Sequence, residues 1–265
     1  MIVSTSGEKL FRIIKNEVLS TIRVGHHSWN AFDSLMEVTV GDTNFVKYIK
    51  GATSIYILKK LLSYCKFKKE ESGSNTVTPK VISSYIGESV FPGMDVDLRY
   101  RIARLVIDAN LNSKKNIPKS IRAQYNNKTS TCYLCGRTLN KPKADDLTDG
   151  YFTLEHLWPI SLGGDSIDEN LLPACNPCQV VKIDYISWEW FNVQNSVLEV
   201  IPPDDQIKRV TYKEKVSRHY FEAIILAEEN NLSLKDAFLR LGPVPKELRY
   251  VSTMEPITFF DLKLE

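Results

Sequence analysis

No apolar run in the 265-residue sequence approaches the ~18 residues of a membrane span. The N-terminal segment MIVSTSGEKLFRIIK also lacks the basic flank and apolar core of a signal peptide. From these two absences we expect a cytoplasmic protein with no membrane partner. A strong charge of one sign is missing too, since the net charge is only +2. A nucleic-acid partner would therefore have to be recognised through a local basic surface.

One local basic segment exists, between Ala109 and Ala144, where eight basic and no acidic side chains occur. It leads directly into the first pair of cysteines. A solvated, lysine-rich loop and a segment that contacts phosphates are both consistent with this composition. If it contacts nucleic acid, we expect Arg122, Lys128 and Arg137 to take part.

Helical hydrophobic periodicity dominates the chain on both sides of its central segment. We expect a mostly helical N-terminal region over residues 1–112 and a C-terminal helical region over residues 196–265, packed on the rest. The last helix should begin after Ser233 and end at Gly242. Residues 113–195 carry the basic segment and the cysteine pairs. The predicted fold class is α+β and mainly helical.

Four of the five cysteines fall into two C-x-x-C pairs. In a reducing compartment such pairs favour zinc over disulfides. Structural zinc is tetrahedral, and four thiolates complete its coordination shell. The sequence therefore predicts one structural Zn²⁺ per chain, held by Cys132, Cys135, Cys175 and Cys178. It follows that His156, which lies between the pairs, is not needed as a zinc ligand.

The residues around this histidine predict a strand, a turn, a second strand and a helix. The stretch TLEHLWP places Glu155 and His156 at the end of a strand, and SLGGDS supplies a Gly-Gly turn. The segment DENLLPAC returns to the second cysteine pair. Asn176 suits the N-cap of the helix that follows, and Pro177 suits its first position.

The pattern L-E-H-x-x-P-x-S-x-G-G-D-S-x-x-E-N-L-x-P-A-C-x-x-C-Q-x-x-K resembles the motif of HNH endonucleases, the ββα-metal fold in its zinc-containing form. The match covers about residues 130–185. The resemblance implies that residues 113–195 form a zinc-stabilised nuclease module that hydrolyses phosphodiesters, in DNA or alternatively in RNA. It also implies a bacterial or phage defence context. Residues 1–112 would then bind a protein partner or the substrate, or carry regulation.

The resemblance also assigns roles to individual residues. His156 is the general base, because a neutral imidazole can take a proton from the attacking water. Asn170 fixes the loop and orients that histidine. Glu155 and Gln179 are the ligands of one catalytic Mg²⁺ or Mn²⁺, which stabilises charge on the leaving oxygen.

Two positions depart from the family pattern. Glu155 replaces the commoner Asp or His, and Gln179 replaces His or Asn; this oxygen pair favours Mg²⁺ over Zn²⁺ or Ni²⁺. Gln179 has an alternative role, since it could close a capping box with Asn176. Lys182 lies on the same helix face and could contact a phosphate or be a solvated lysine.

One geometric difficulty and two alternative functions have to be set beside this hypothesis. Adjacent strand residues point to opposite faces, so Glu155 and His156 can share a site only if the strand twists there. The rivals are a catalytically inactive zinc module that binds nucleic acid and a zinc-stabilised module for protein interaction.

Overall fold

A computed structural model describes most of the chain, which is mixed helix and small sheets and mostly helical. The described residues are 1–19, 43–73, 76–113, 116–126, 130–139, 152–184, 186 and 204–245. They divide into two compact units: the helical unit, residues 6–111, and the cysteine unit, residues 1–5 and 112–245. The predicted fold class, mainly helical with some strand, is confirmed as far as the content of helix and strand is concerned. No helix within the described ranges is long and apolar enough to cross a membrane.

The described residues of the helical unit form four α-helices, two of which continue into a π-helical turn. These are α1 (Ser6–Ile13) with the turn Ile14–Val18, α2 (Thr43–Glu71), α3 (Pro79–Tyr85) with the turn Ile86–Val90, and α4 (Val96–Asn112). Apolar side chains at helical spacing form its core, including Leu10, Ile14, Leu58, Leu61, Ile82, Ile86, Ile102 and Val106.

The cysteine unit combines two short antiparallel sheets with four described helices. Its elements are α5 (Lys119–Asn126), β1 (Ser130–Thr131), β2 (Thr138–Leu139), β3 (Phe152–His156), β4 (Leu171–Cys175), α6 (Asn176–Lys182), α7 (Asp204–Glu229) and α8 (Leu234–Leu241). Strand β1 pairs with β2, and β3 pairs with β4 so that Phe152 faces Cys175 and His156 faces Leu171.

The connection between β3 and β4 depends on its Gly-Gly turn. A 3₁₀ turn, Ile160–Leu162, ends at Gly163, which has the left-handed φ of 79° that glycine adopts without strain. A Cβ atom on Gly164 would overlap the carbonyl oxygens of Trp158 and Pro159. Both glycines are therefore required by the local backbone, and the chain returns along β4 directly into α6.

The two C-terminal helices pack against each other within the cysteine unit. Ser233 caps α8, since its hydroxyl accepts a hydrogen bond from the Asp236 amide, and Gly242 follows the last helical residue. Both predicted ends of this helix are confirmed. The buried aromatic rings of Tyr220 and Phe238 meet edge-on with their centroids 4.6 Å apart.

Candidate functional site

The four paired cysteines lie together at the junction of the two small sheets. Their sulfur atoms all lie within 4.8 Å of one another, and the sulfurs of Cys135 and Cys175 are 3.7 Å apart. Tetrahedral zinc with Zn–S bonds of about 2.3 Å requires sulfurs about 3.8 Å apart. Cys132, Cys175 and Cys178 are buried and Cys135 is exposed. The predicted cysteines thus form one cluster that could hold a metal ion such as zinc.

Backbone hydrogen bonds shape the first cysteine pair into a tight turn. The amide of Cys132 donates to the carbonyl of Arg137 at 2.8 Å, and that of Gly136 donates to the carbonyl of Cys132 at 2.8 Å. The amide of Tyr133 donates to Pro173 of β4 at 3.0 Å. The first turn is therefore fixed against the strand that carries the second cysteine pair.

The three buried thiols of the cluster, those of Cys132, Cys175 and Cys178, influence one another because they lie close together. A hydrogen bond from Cys178 lowers the pKa of Cys132 to about 4, and this same bond, with burial, raises the pKa of Cys178. Burial raises the pKa of Cys175 to about 11. A bound cation would be needed for Cys132, Cys175 and Cys178 to lose their protons together. The donor set therefore fits a thiolate-bound metal ion.

His156 ends β3 and is half-buried. Its Nε2 atom is 2.9 Å from the hydroxyl oxygen of Ser166, which follows the Gly-Gly turn. Burial and, to a smaller extent, the positive charge of Lys182 lower the pKa of His156 to about 4, although Asp184 opposes this decrease. The imidazole is therefore neutral near pH 7 and carries a lone pair on one of its two nitrogens.

Asn170 is buried and fastens the loop that follows His156. Its Oδ1 accepts a hydrogen bond from the amide of Trp158 at 2.7 Å. Its Nδ2 donates to the carbonyls of Trp158 at 3.0 Å and Asp165 at 2.9 Å. One amide side chain thus joins both ends of the loop, and it satisfies backbone groups that burial would otherwise leave unpaired.

Glu155 is buried and bound to helix α6. The ammonium of Lys182 donates to its Oε1 at 2.8 Å, and the side chains are 0% and 8% exposed for Lys182 and Glu155. Burial raises the pKa of Glu155, although Lys182 and a hydrogen bond from Gln179 oppose that increase. Lys182 also donates to the carbonyl of Ile183 at 3.2 Å. The carboxylate is therefore already neutralised by a cation of the protein.

Two alternatives from the sequence are wrong. Lys182 is not a solvated lysine, because its side chain has no exposed surface. Gln179 does not close a capping box: Asn176 is the first residue of α6, and Cys175 precedes the helix without a side-chain capping bond. The Gln179 amide instead faces Glu155. A phosphate contact by Lys182 would require it to leave Glu155 and stays a prediction.

The two neighbouring residues of β3 face different surroundings. Glu155 lies against α6, whereas His156 bonds to Ser166. They have two electrostatic neighbours in common: Lys182 lowers the pKa of both side chains, and Asp184 raises both. The two side chains therefore point to opposite faces of β3, as expected of adjacent strand residues. Lys182 nevertheless lies close enough to influence the pKa of both.

The residues predicted to contact nucleic acid are distributed over the cysteine unit. Arg122 is exposed on α5, and Arg137 is exposed between the first cysteine pair and β2. Lys128 lies outside the described residues. The sequence did not single out Ser166, although the serine stands in the motif itself as the end of S-x-G-G-D-S.

Comparison with known proteins adds no family to these observations. A scan against protein-family models finds no match, and neither do searches of curated proteins and of solved structures. The chemistry of the site is therefore indicated by its own residues alone.

Proposed function

We propose that the chain is a metal-dependent endonuclease of the HNH type that hydrolyses phosphodiester bonds, with DNA as the substrate. The observation that carries this proposal is the arrangement around His156. An antiparallel hairpin presents the histidine, Asn170 fastens the loop behind it, and a helix follows the hairpin at once. The cysteine cluster joins the start of that helix to the first cysteine turn.

His156 would act as the general base toward water. If Nε2–H donates to Ser166, the lone pair is on Nδ1 and can accept the proton of the attacking water. The low pKa of the histidine keeps the ring neutral, which this role requires. Asn170 contributes by holding the loop that carries Ser166 in register with β3.

The oxygen donors of Glu155 and Gln179 fit a hard divalent cation by their chemistry. Oε1 of Glu155 is bound to Lys182, so the carboxylate's other oxygen is the one that a cation would use. Mg²⁺ or Mn²⁺, when bound, would supply a positive charge that stabilises the leaving oxygen. Lys182 and Gln179 would orient the carboxylate for this purpose.

The zinc would have a structural part in this function. Four thiolates close the coordination shell, so no position remains for water. The exposed Arg122 and Arg137 are candidates for phosphate contacts, with Lys128 as a further candidate from the sequence. The proposed setting is bacterial or phage defence in the cytoplasm, with the helical unit binding a protein partner or regulator.

A second candidate function is a zinc-stabilised module that binds nucleic acid or protein without cleaving. The buried ion pair favours it, because Lys182 already neutralises the carboxylate that would hold the catalytic cation. The two candidates differ in one observable: only the nuclease changes the covalent structure of its nucleic acid.

The test is cleavage of supercoiled plasmid by the full-length protein with Mg²⁺ or Mn²⁺. His156→Ala should reduce cleavage at least about 100-fold, in line with the loss of a general base. Val180→Ala, an exposed change on α6, is the matched control and should cleave normally. Single-stranded DNA and RNA, tested beside the plasmid, define the substrate. No cleavage by the unmodified protein, or equal cleavage by His156→Ala, would contradict the proposal.

A further inference from the structure

Helix α7 contacts both cysteine pairs through two tyrosine hydroxyls. The oxygen of Tyr212 lies 3.0 Å from the sulfur of Cys178 in the second pair. The oxygen of Tyr220 lies 2.6 Å from that of Tyr133, a residue inside the first pair. Only the hydroxyl of Tyr212 reaches a sulfur of the cysteine cluster, whereas that of Tyr220 bonds to a tyrosine inside the first pair.

The spacing of the two tyrosines suits this double contact. Residues eight apart in an α-helix are separated by about 12 Å along the axis, a little over two turns. A third connection comes from the chain beyond α8, where the amide of Val244 donates to the carbonyl of Leu134 at 2.8 Å. The C-terminal part of the cysteine unit is therefore joined to both cysteine turns.

We infer that Tyr212 is a positioning residue of the metal centre that donates a hydrogen bond to the metal-bound thiolate of Cys178. A thiolate has no proton and can only accept, so the hydroxyl of Tyr212 must be the donor once the metal is bound. Such a bond draws charge from the sulfur and holds it in place. Hydrogen bonds of this kind around metal ligands commonly change metal affinity by about 10–100-fold.

The bond also couples the metal to the C-terminal helices. Metal binding contributes free energy to the folding of the site that it completes. Because Tyr212 belongs to α7, part of that free energy would hold α7 against the cysteine pairs. This inference concerns the metal site alone and does not depend on nuclease activity.

The experiment compares Tyr212→Phe with Tyr220→Phe in the full-length, zinc-loaded protein. Each change removes one hydroxyl from α7 and keeps the ring, but only Tyr212 contacts a cysteine sulfur. Zinc transfer to a chromophoric chelator gives the affinity and the release rate. Tyr212→Phe should weaken zinc binding about 10-fold or more, and Tyr220→Phe should leave it within about 2-fold of the unmodified protein, because a neutral bond away from the thiolate is lost.

A second measurement probes the bond between the metal and the cysteine sulfur directly. With Co²⁺ in place of zinc, the thiolate-to-metal charge-transfer absorption should shift in Tyr212→Phe and stay unchanged in Tyr220→Phe. Equal zinc release by Tyr212→Phe and the unmodified protein would overturn the inference. An equal acceleration in both variants would also overturn it, since general loosening would explain that result. A protein that takes up neither zinc nor cobalt would also overturn it, because Cys178 would then hold no metal-bound thiolate to accept the hydrogen bond.

Discussion

Replacing Lys182 by methionine should destabilise the cysteine unit strongly and in a pH-dependent way. Methionine has a similar length but no charge, so the change leaves the Glu155 carboxylate buried without its cation. Removing one partner of a buried pair typically costs about 3–5 kcal/mol. Both side chains are almost fully enclosed, at 0% and 8% exposed, so water cannot replace the lost ammonium.

Protonation of Glu155 limits this cost. Neutralising a carboxyl group costs about 1.4 kcal/mol for each pH unit above its unfolded pKa, whose ordinary value is 4.5. The maximum loss is therefore about 3.4 kcal/mol at pH 7 and about 1.4 kcal/mol at pH 5.5. In the variant the folded-state pKa of Glu155 lies further above its unfolded value than in the unmodified protein. The contribution of Glu155 to the stability of the variant is thus fully present below about pH 4.5 and is lost as the pH rises toward the folded-state pKa.

The assay is urea denaturation of the zinc-loaded protein at pH 5.5 and pH 7, followed by tryptophan fluorescence. Trp158 is fully buried beside the hairpin, and it reports on the cysteine unit once the other three tryptophans of the chain are replaced by phenylalanine. Lys208→Met, an exposed change on α7, is the control and should leave the unfolding free energy nearly unchanged. Adding Glu155→Gln to Lys182→Met should recover most of the loss, because no charge then remains buried.

Two results would refute this reasoning. A loss below about 1 kcal/mol at pH 7 is typical of an exposed ion pair and would mean that Lys182 and Glu155 are not buried together. A loss that does not shrink between pH 7 and pH 5.5 would mean that an unpaired Glu155 is not its cause.

Three further predictions concern the loop, the helix end and the metal. Asn170→Asp should cost about 2 kcal/mol of unfolding free energy in urea, since both hydrogen bonds donated by Nδ2 are lost; an unchanged midpoint would contradict the assigned contacts. Ile183→Gly should stabilise the protein by about 1 kcal/mol. Ile183 has φ 49° and ψ −142°, a backbone conformation that favours glycine, and its side chain is 49% exposed. The control Val180→Gly, within α6, should instead destabilise the protein by about 1 kcal/mol. Removing the metal with a strong chelator should expose Trp158, because a structural metal contributes folding free energy. The measurement is a red shift of the fluorescence in protein that keeps Trp158 as its single tryptophan, and an unshifted spectrum would show that the cysteine unit folds without metal.

Features with short-range causes could be predicted from the sequence. The cysteine cluster could be predicted because two C-x-x-C pairs supply a complete set of four metal ligands. Ser233 and Gly242 mark the ends of α8 because caps act on the adjacent turn of backbone. The expectation for Asn176 was wrong for a local reason too: β4 continues to Cys175, so the helical backbone begins one residue earlier than the cap required.

Features that depend on distant partners could not be predicted. Lys182 pairs with a carboxylate 27 residues before it, and nothing in the sequence of α6 indicates that the lysine is buried. Tyr212 lies 34 residues after the cysteine that it contacts. The C-terminal region was expected to pack on the rest, and its described part, residues 204–245, belongs to the cysteine unit. These contacts are set by how the helices pack rather than by any pattern in the sequence.

The most direct test of the proposed function is chemical rescue of the base. His156→Gly leaves a space beside Ser166 into which free imidazole can diffuse, and zinc content shows whether the variant keeps its metal. The proposal predicts that the variant does not cleave plasmid DNA with Mg²⁺ or Mn²⁺, and that imidazole restores cleavage in proportion to its concentration. Cleavage by His156→Gly at the unmodified rate without imidazole would show that His156 is not the base and would contradict the proposed mechanism.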